Sequence, residues 1–187
     1  MFLKYNEGTI EVITGPMFSG KSEELLKRIN ILSIAQIKTL IIKPAFDTRF
    51  KETSIVSRNG KEIKAISVND SSEILSLIDN SYKAVAIDEL NFFDEGIVEV
   101  IQELRTRGIR IIVSGLDMDF MARPFGVVPI IMALSDEILK LKAVCFKCHS
   151  SASFTYRKIK SNELNVLGDS EYEARCWHCY KQGMSKR

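Results

Sequence analysis

Residues 15–22 combine two glycines, a lysine and a serine at a fixed spacing between two kinds of predicted secondary structure. They run Gly15-Pro16-Met17-Phe18-Ser19-Gly20-Lys21-Ser22 and match the pattern G-x-x-x-x-G-K-S. A β-rich run over residues 9–14 precedes them, and apolar residues at helical spacing follow from Ser22 onward. Because such a loop turns its backbone N–H groups inward at a helix N-terminus, the pattern predicts a phosphate-binding loop. An ordinary glycine-rich turn is the alternative, and the flanking strand and helix disfavour it.

An acidic pair supplies the other group that a phosphate loop needs. Asp88 stands at the carboxyl end of the apolar run 83–88, and Glu89 follows it directly. In loops of this type the lysine, here Lys21, reaches the β- and γ-phosphates, while the hydroxyl of Ser22 and an acidic residue hold Mg²⁺. Ligands of open α/β sheets gather outside the carboxyl ends of the strands, so we expect both carboxylates to face the loop. Alternatively, the pair is simply the charged end of a strand.

Four short apolar runs predict a buried parallel sheet. They cover residues 9–14, 38–43, 83–88 and 109–114, and helical patterns lie between some of them, at residues 72–78 and 97–107. Strands that are apolar nearly throughout are buried on both faces, as in a parallel sheet flanked by helices. We therefore predict an α/β domain of the P-loop NTPase type over residues 1–140. Residues 44–60 show neither period and predict a long polar loop.

The composition changes after residue 141, since all four cysteines and both histidines lie between Cys145 and Cys179. Cys145-x-x-Cys148 and Cys176-x-x-Cys179 have the spacing of two metal-binding knuckles, which can present four thiolates to a structural Zn²⁺ ion. Reduced thiols or a redox pair are the alternatives, and either adjacent histidine could replace a cysteine. We predict a small zinc-binding domain over residues 141–187, in which the metal holds residues 153–172 as a loop by their ends.

Charge and hydropathy exclude several classes of protein. The 26 Lys and Arg residues against 24 Asp and Glu give a net charge of +2, too balanced for a nucleic-acid coat or a polybasic membrane tail. Residues 1–7 bring in charge before any apolar stretch, and the longest apolar run, residues 127–134, is well short of the ~20 residues of a membrane span. We expect a cytoplasmic protein with no membrane and no nucleic-acid partner.

Further motifs follow one another along the chain. They are Asp88-Glu89-x-x-Phe92-Phe93, Gly115-Leu116-Asp117-x-Asp119-Phe120, Arg123-Pro124-Phe125-Gly126 and the two Cys-x-x-Cys pairs. Together with residues 15–22 they resemble the thymidine kinases of the cytosolic, zinc-containing type (type II), and they run in that family's order from Gly8 to Tyr180. The resemblance covers nearly the whole chain. It implies a RecA-like parallel sheet flanked by helices, with a small C-terminal zinc-binding domain that carries a lasso loop.

The resemblance also implies an activity, namely transfer of the γ-phosphoryl group of ATP to the 5′-hydroxyl of thymidine, and also of deoxyuridine, with Mg²⁺. Glu89 matches the family's general base, and Asp88 matches the residue that supports the metal. Seven positions correspond to the nucleoside pocket, the last three of them in the lasso: Met17, Phe93, Leu116, Phe120, Thr155, Val166 and Tyr172. A homotetramer, feedback inhibition by dTTP and a role in nucleotide salvage for DNA synthesis are implied as well.

This chain departs from the family pattern in two places. Leu90-Asn91 stands where the family usually has a small or apolar residue followed by Gln, and Ala122 stands near a position that is often Gly. Both departures concern the geometry of the pocket rather than the catalytic carboxylates. Four basic residues in predicted polar loops could contact a triphosphate or simply face solvent: Arg49, Arg58, Arg157 and Lys158.

Two other functions fit parts of the pattern. A P-loop ATPase with a zinc ribbon could stack nucleic-acid bases on residues 154–158, which include two aromatic and two basic side chains. The near-neutral charge and the lack of a second ATPase domain disfavour this hypothesis. A signalling GTPase would need a guanine-binding Asn-Lys-x-Asp run, which the sequence lacks.

Overall fold

The computed structural model describes residues 8–45, 54–56, 62–159, 168 and 170–186. In chain order its elements are β1 (Ile10–Thr14), α1 (Lys21–Ile34), β2 (Thr39–Pro44), β3 (Ser54–Val56), β4 (Glu62–Lys64), β5 (Ile66–Val68), α2 (Glu73–Ser76), β6 (Ala84–Ile87), α3 (Ile97–Thr106), β7 (Arg110–Gly115), α4 (Val128–Leu134), β8 (Glu137–Lys140), β9 (Ala143–Val144), β10 (Ser151–Ala152), β11 (Phe154–Arg157), β12 (Tyr172–Arg175) and α5 (Trp177–Met184). A 3-10 turn covers Leu90–Phe92.

Six parallel strands form the central sheet, in the order β5-β2-β6-β7-β1-β8. The strand β7 lies between β1, which leads into the phosphate loop, and β6, which leads into Asp88. This RecA-like order confirms the predicted fold class. Because all six strands run in the same direction, their carboxyl ends lie together at one end of the sheet, which we call the sheet edge. The loops after β1, β7 and β6 lie side by side there.

Apolar side chains cover both faces of the sheet. Ile87 packs with α3 and α4 on one face, whereas Ala86, the preceding residue, packs with α1 on the other. The alternation follows from the period of two along a strand, and it explains why the strands are apolar throughout. The helix α3 buries one face, with its buried residues at helical spacing: Ile97, Val100, Ile101 and Leu104. Two layers of helices therefore hold the sheet edge in place.

Four elements differ from the sequence predictions. The segment 44–60 is not wholly a polar loop, because β3 lies within it, pairs with β4 and buries Ile55. The edge strands β5 and β8 escaped prediction because both are short and β8 is mostly exposed, so neither carries an apolar run. The predicted helix over residues 72–78 shrinks to α2. Residues 46–53 and 57–61 lie outside the described part of the chain.

Two small antiparallel hairpins and α5 lie within the described residues from 143 to 184. The hairpin β9–β10 carries the first cysteine pair between its strands, and β11–β12 leads into the second pair at the start of α5. The Phe146 N–H donates to the Ala174 carbonyl at 2.9 Å and joins the two hairpins. The predicted loop of residues 153–172 is shorter than expected, because both of its ends pair as strands.

Among the described residues, no helix combines the length and the apolar content that a membrane span requires.

Candidate active site and cysteine cluster

The phosphate loop leaves β1 through a series of left-handed backbone conformations. Gly15 has φ 139°, Phe18 has φ 68° and Gly20 has φ 84°. A Cβ atom at Gly15 would lie 2.5 Å from the Leu141 carbonyl oxygen, so a larger residue does not fit there. The helix α1 begins directly after Gly20, and its N-terminal N–H groups point back toward the loop. The loop therefore joins strand to helix as its pattern predicts.

Two side chains form hydrogen bonds to the backbone of this loop. The Lys21 Nζ donates to the Pro16 carbonyl oxygen at 3.0 Å, and the Ser19 hydroxyl donates to the same oxygen at 2.8 Å. Lys21 is thereby folded across the loop, with its ammonium group at the loop's own backbone. An anion cradled by the loop would meet this ammonium group as well as the helix N-terminus.

The acidic pair follows β6 at the same sheet edge. Asp88 is 8% exposed, and its Oδ1 accepts hydrogen bonds from the Ser114 hydroxyl and from the Glu89 N–H, the latter at 3.0 Å. Glu89 has φ 52°, a conformation that non-glycine residues rarely adopt. Strained backbone of this kind clusters at functional sites. Sequence reasoning missed Ser114, although its signal was available, since it ends an apolar run just as Asp88 does.

A side-chain amide joins the turn after β6 to the loop after β7. Asn91 is 5% exposed, and its Oδ1 accepts the Leu116 N–H at 2.9 Å. The Nδ2 of Asn91 is buried and has no hydrogen-bond partner within the described residues. The residue that departs from the family pattern therefore orients Leu116, one of the predicted pocket residues.

Asp117 anchors the ends of three neighbouring strands. Its Oδ1 accepts from the Thr14 hydroxyl at 3.0 Å, and its Oδ2 pairs with the Lys140 Nζ at 2.5 Å. Thr14 ends β1 and Lys140 ends β8, so the carboxylate ties both strands to the loop after β7. The phosphate loop begins at the next residue after Thr14. Asp117 therefore fixes the point from which that loop departs.

The second departure, at Ala122, falls in a tight turn beyond Asp117. The Asp119 carboxylate accepts the N–H groups of Met121 and Arg123 at 2.8 and 2.9 Å, and Ala122 between them has φ 59°. A left-handed conformation favours glycine, because it lacks a Cβ atom. This chain holds an alanine in that conformation by means of the Asp119 bonds.

The phosphate loop contacts the C-terminal hairpins directly. The Met17 N–H donates to the Thr155 Oγ1 at 3.0 Å, and the ring of Phe18 lies 5.3 Å from that of Phe146. Phe18 also packs against the small core around Cys145. Met17 and Thr155, both predicted for the nucleoside pocket, are thus brought together across the two parts of the chain.

Phe120 and Tyr172, two further predicted pocket residues, meet at Arg157. The Arg157 guanidinium carbon lies 3.6 Å from the Phe120 ring centroid and 5.3 Å from that of Tyr172. The prediction that Arg157 lies in a polar loop is wrong, because it ends β11 and is 1% exposed. Lys158, the next residue, is exposed. The Tyr180 hydroxyl also donates to the Phe120 carbonyl at 2.8 Å.

The remaining predicted site residues either lie elsewhere in the fold or fall outside the described residues. Phe93 is 9% exposed and packs in the main core on the α3 side of the sheet. Leu116 is half-buried at the sheet edge. Val166, Arg49 and Arg58 lie outside the described residues. The roles of all seven predicted residues in the pocket stay predictions.

The four cysteines form one compact cluster. Their sulfur atoms all lie within 4.8 Å of one another, and the Sγ atoms of Cys148 and Cys176 are 3.6 Å apart. Two ligands of a tetrahedral zinc ion with Zn–S bonds of ~2.3 Å stand about 3.8 Å apart, so the arrangement fits a metal. All four cysteines are free rather than disulfide-bonded. His149 and His178 are exposed and do not belong to the cluster.

The cluster holds its thiols at very different acidities. Burial raises the pKa of Cys145, but backbone hydrogen bonds from Cys176, Cys148 and Lys147 outweigh it and lower the pKa to about 6. Burial, followed by hydrogen bonds with its neighbours, raises the pKa of Cys179 to about 12. A metal cation would displace the protons that remain on the thiols and stabilise all four cysteines as thiolates, since metals bind the thiolate form.

The aromatic residues of the C-terminal hairpins pack on one another. The ring of Phe154 lies 5.0 Å from that of Trp177 and 5.1 Å from that of Tyr180, and Tyr156 is 8% exposed. The nucleic-acid hypothesis needed Phe154, Tyr156 and Arg157 to be open for stacking. Their packing removes the observation that favoured it.

A family model and three related proteins point to the same family. The family model described as thymidine kinase matches residues 8–180. The thymidine kinase of Mycoplasma mobile is 51% identical, covering 100% of this chain and 94% of that protein. The thymidine kinases of Metamycoplasma arthritidis and Mesomycoplasma hyopneumoniae (strain 7448) are 48% and 50% identical, covering 100% and 96% of this chain and 97% and 99% of those proteins. This chain belongs to the thymidine kinase family.

Proposed function

We propose that this enzyme transfers the γ-phosphoryl group of ATP to the 5′-hydroxyl of thymidine, and also of deoxyuridine, in nucleotide salvage. Membership of the thymidine kinase family supports phosphorylation of thymidine. The observation that carries the proposal is the sheet edge, where the loop of residues 15–22 and the pair Asp88-Glu89 follow strands separated only by β7. A phosphate group and an accepting carboxylate then share one crevice.

In this proposal the loop of residues 15–22 binds the phosphates of ATP. Its inward N–H groups and the N-terminus of α1 attract the phosphate oxygens, and Lys21 moves from the Pro16 carbonyl to the β- and γ-phosphates. Ser22 and Asp88 would hold Mg²⁺, which supplies charge neutralisation when bound. The Ser114 hydroxyl and the Glu89 N–H hold the Asp88 carboxylate in place for that role.

Glu89 is the proposed general base. Its carboxylate takes the proton of the 5′-hydroxyl as the 5′-oxygen forms a bond to the γ-phosphorus. The bond from that phosphorus to the bridging oxygen of the β-phosphate breaks, and the electron pair leaves with ADP, so the products are dTMP and ADP. Such a transfer asks the protein mainly for positioning and for charge stabilisation.

The nucleoside pocket is proposed at the junction between the sheet edge and the C-terminal hairpins. Its residues come from three loops of the sheet and from residues 155–172: Met17, Phe93, Leu116, Phe120, Thr155, Val166 and Tyr172. The bond between Met17 and Thr155 and the meeting of Phe120 with Tyr172 at Arg157 support this location. A pocket with apolar walls and few polar groups excludes purines by size.

The cysteine cluster is proposed to hold a structural Zn²⁺ ion within a domain of residues 141–187. Four thiolates complete a tetrahedral shell and leave no position for a catalytic water. β8 ends the sheet at Lys140 and β9 begins at Ala143, which supports a boundary close to Lys140. The first pair of cysteines lies between β9 and β10, and the second lies at the start of α5 directly after β12, so the metal would join the β9–β10 hairpin to the segment from β12 to α5.

We further propose a homotetramer in the cytoplasm, inhibited by dTTP. dTTP carries both the nucleoside that the pocket accepts and the phosphates that the loop binds. The helix α1 leaves Ile31 54% and Ile34 76% exposed, and a neighbouring copy would cover such apolar side chains. Light scattering should give four times the chain mass of 21.2 kDa. A monomer would contradict the assembly.

Replacing Glu89 by glutamine tests the function. Glu89→Gln keeps the size of the side chain and removes the accepting charge, so kcat for thymidine should fall by about 10²–10⁴-fold while ADP binding measured by calorimetry stays the same. The matched control is Glu95→Gln, at an exposed glutamate a few residues along the same segment, which should keep full turnover. Normal turnover of Glu89→Gln would overturn the assignment of the base.

A further inference from the structure

Arg157 is a buried arginine whose position the proposed chemistry does not explain. It ends β11 and is 1% exposed. Its Nε and Nη2 donate to the Tyr172 hydroxyl at 3.2 and 3.0 Å, while the flat face of the guanidinium lies 3.6 Å from the Phe120 ring centroid. Burying a charge costs free energy unless strong contacts compensate it. This side chain therefore occupies its position for a structural or a functional reason.

The register of the hairpin shows which face of it Arg157 occupies. Arg157 pairs with Tyr172 across the hairpin, and Thr155, two residues earlier, lies on the same face and accepts the Met17 N–H. Tyr156, between them, points to the opposite face and packs against Tyr180. The Arg157 face is consequently the one that meets the phosphate loop and the loop after β7.

The contacts of Arg157 use properties that only a guanidinium combines. Its plane stacks on the Phe120 ring, and its edge directs two N–H groups to one phenolic oxygen of Tyr172. A lysine ammonium is a point charge without a plane, and it does not stack while donating sideways in this way. Arg157 therefore ties the position of the Phe120 ring to that of the Tyr172 ring.

We propose that Arg157 is a positioning residue that sets the affinity and the size limit of the site for a pyrimidine nucleoside. By holding Phe120 and Tyr172 in one arrangement, it fixes the distance between an aromatic wall on the sheet side and one on the hairpin side. The inference deepens the proposed function and rests on it. Since Phe120 and Tyr172 are both predicted pocket residues, the contacts of Arg157 with them should act on nucleoside binding rather than on the transfer step.

The test is the substitution Arg157→Lys, which keeps the charge and loses the planar stacking and the paired bonds. The KM for thymidine should rise about tenfold, which corresponds to about 1.4 kcal/mol, while kcat and the KM for ATP change less than about twofold. Turnover of deoxyguanosine relative to thymidine should rise, because the walls are less firmly held. A merely structural role would lower the melting temperature without this split between KM and kcat.

The chain offers a matched control in Arg175, on the neighbouring strand of the same hairpin. Its guanidinium carbon lies 3.3 Å from the Tyr156 ring centroid, and its other described contacts are with Glu173 and the Cys179 carbonyl. The control variant Arg175→Lys therefore removes a stacked, buried arginine on the opposite face. It should lower the melting temperature and leave the KM for thymidine unchanged.

A second variant keeps the proposal testable if Arg157→Lys does not fold. Tyr172→Phe removes the hydroxyl that accepts both Arg157 bonds and keeps the ring, so its KM should rise by a few-fold. In a folded double variant the rise in KM should be smaller than the two single effects combined, since both substitutions break the same contact. A wild-type KM in either single variant, or an equal rise in Arg175→Lys, would overturn the inference. Wild-type protein that fails to phosphorylate thymidine would instead overturn the proposed function.

Discussion

The sheet edge and the cysteine-bearing hairpins hold their residues by different means. At the sheet edge, the ends of parallel strands position the phosphate loop and the acidic pair, and two apolar cores with large aliphatic side chains support those strands. Among the described residues of the hairpins and α5, the apolar cluster consists of alanines and cysteines: Ala143, Cys145, Ala152, Ala174 and Cys179. A core of that size contributes little burial free energy, so we expect contacts between larger side chains and the proposed metal to stabilise the hairpins.

The two constructions suit different ligands. Phosphates are bound by backbone N–H groups, which a stiff sheet can hold without a ligand present. In the proposed function, a nucleoside would enter and leave between the sheet edge and the hairpins, which have the smaller apolar core. The two parts meet at the bond between Met17 and Thr155 and at the ring pair Phe18–Phe146.

Removing the metal should destabilise the hairpins far more than the sheet, and this is the largest effect we expect. We expect purified protein to contain one zinc per chain, and Cys176→Ser or chelation to abolish it, because three thiolates and a hydroxyl bind zinc poorly. Amide hydrogen exchange should then rise throughout β9–β12, whereas β1, β6 and β7 stay protected by their own core. Elemental analysis and exchange mass spectrometry measure the two effects.

The control for metal removal is His178→Ala, which changes an exposed neighbour of the ligands and should keep the zinc and the exchange pattern. Uniform loss of protection in the sheet as well would mean that the two parts are stabilised as a single unit. Zinc-free wild-type protein with protected hairpins would contradict a structural role for the metal.

A smaller effect is expected at the junction. Thr155→Val keeps the shape of the side chain and removes the acceptor of the Met17 N–H, which is left partly buried without a partner. The free energy of unfolding should fall by about 1–3 kcal/mol, measured by denaturant titration. Thr106→Val, at an exposed position that ends α3, should change it by less than about 0.5 kcal/mol. Equal values for both variants would show that the junction bond contributes nothing.

The smallest effect concerns the backbone of the loop after β7. Ala122 has φ 59°, a conformation that costs an L-residue about 1–2 kcal/mol. The substitution Ala122→Gly relieves this cost, but glycine also has more freedom in the unfolded chain. The free energy of unfolding should therefore rise by up to about 1 kcal/mol. Ala133→Gly, on the exposed side of α4, should instead lower it by about 1 kcal/mol. Destabilisation by both changes would mean that the turn at Ala122 is not strained.

Much of the sheet was predictable, because buried parallel strands carry uninterrupted apolar runs and the phosphate loop has a fixed spacing. The edge strand β8 was not, since an exposed edge needs no such run. The cysteine pairs predicted the cluster, because each pair is local in sequence. The position of Arg157 was beyond sequence reasoning, since a charged residue in a polar stretch gives no sign that Phe120 and Tyr172, far along the chain, will cover it.

In the proposed function, the sheet edge transfers phosphate to a nucleoside that the hairpins hold. Its most direct test is a coupled assay that supplies ATP and Mg²⁺ with each of the four natural deoxynucleosides. We expect ADP to form with thymidine at a rate at least about tenfold above that with any of the other three, together with an equal amount of dTMP. ADP release that needs no nucleoside, or equal turnover of all four, would contradict it.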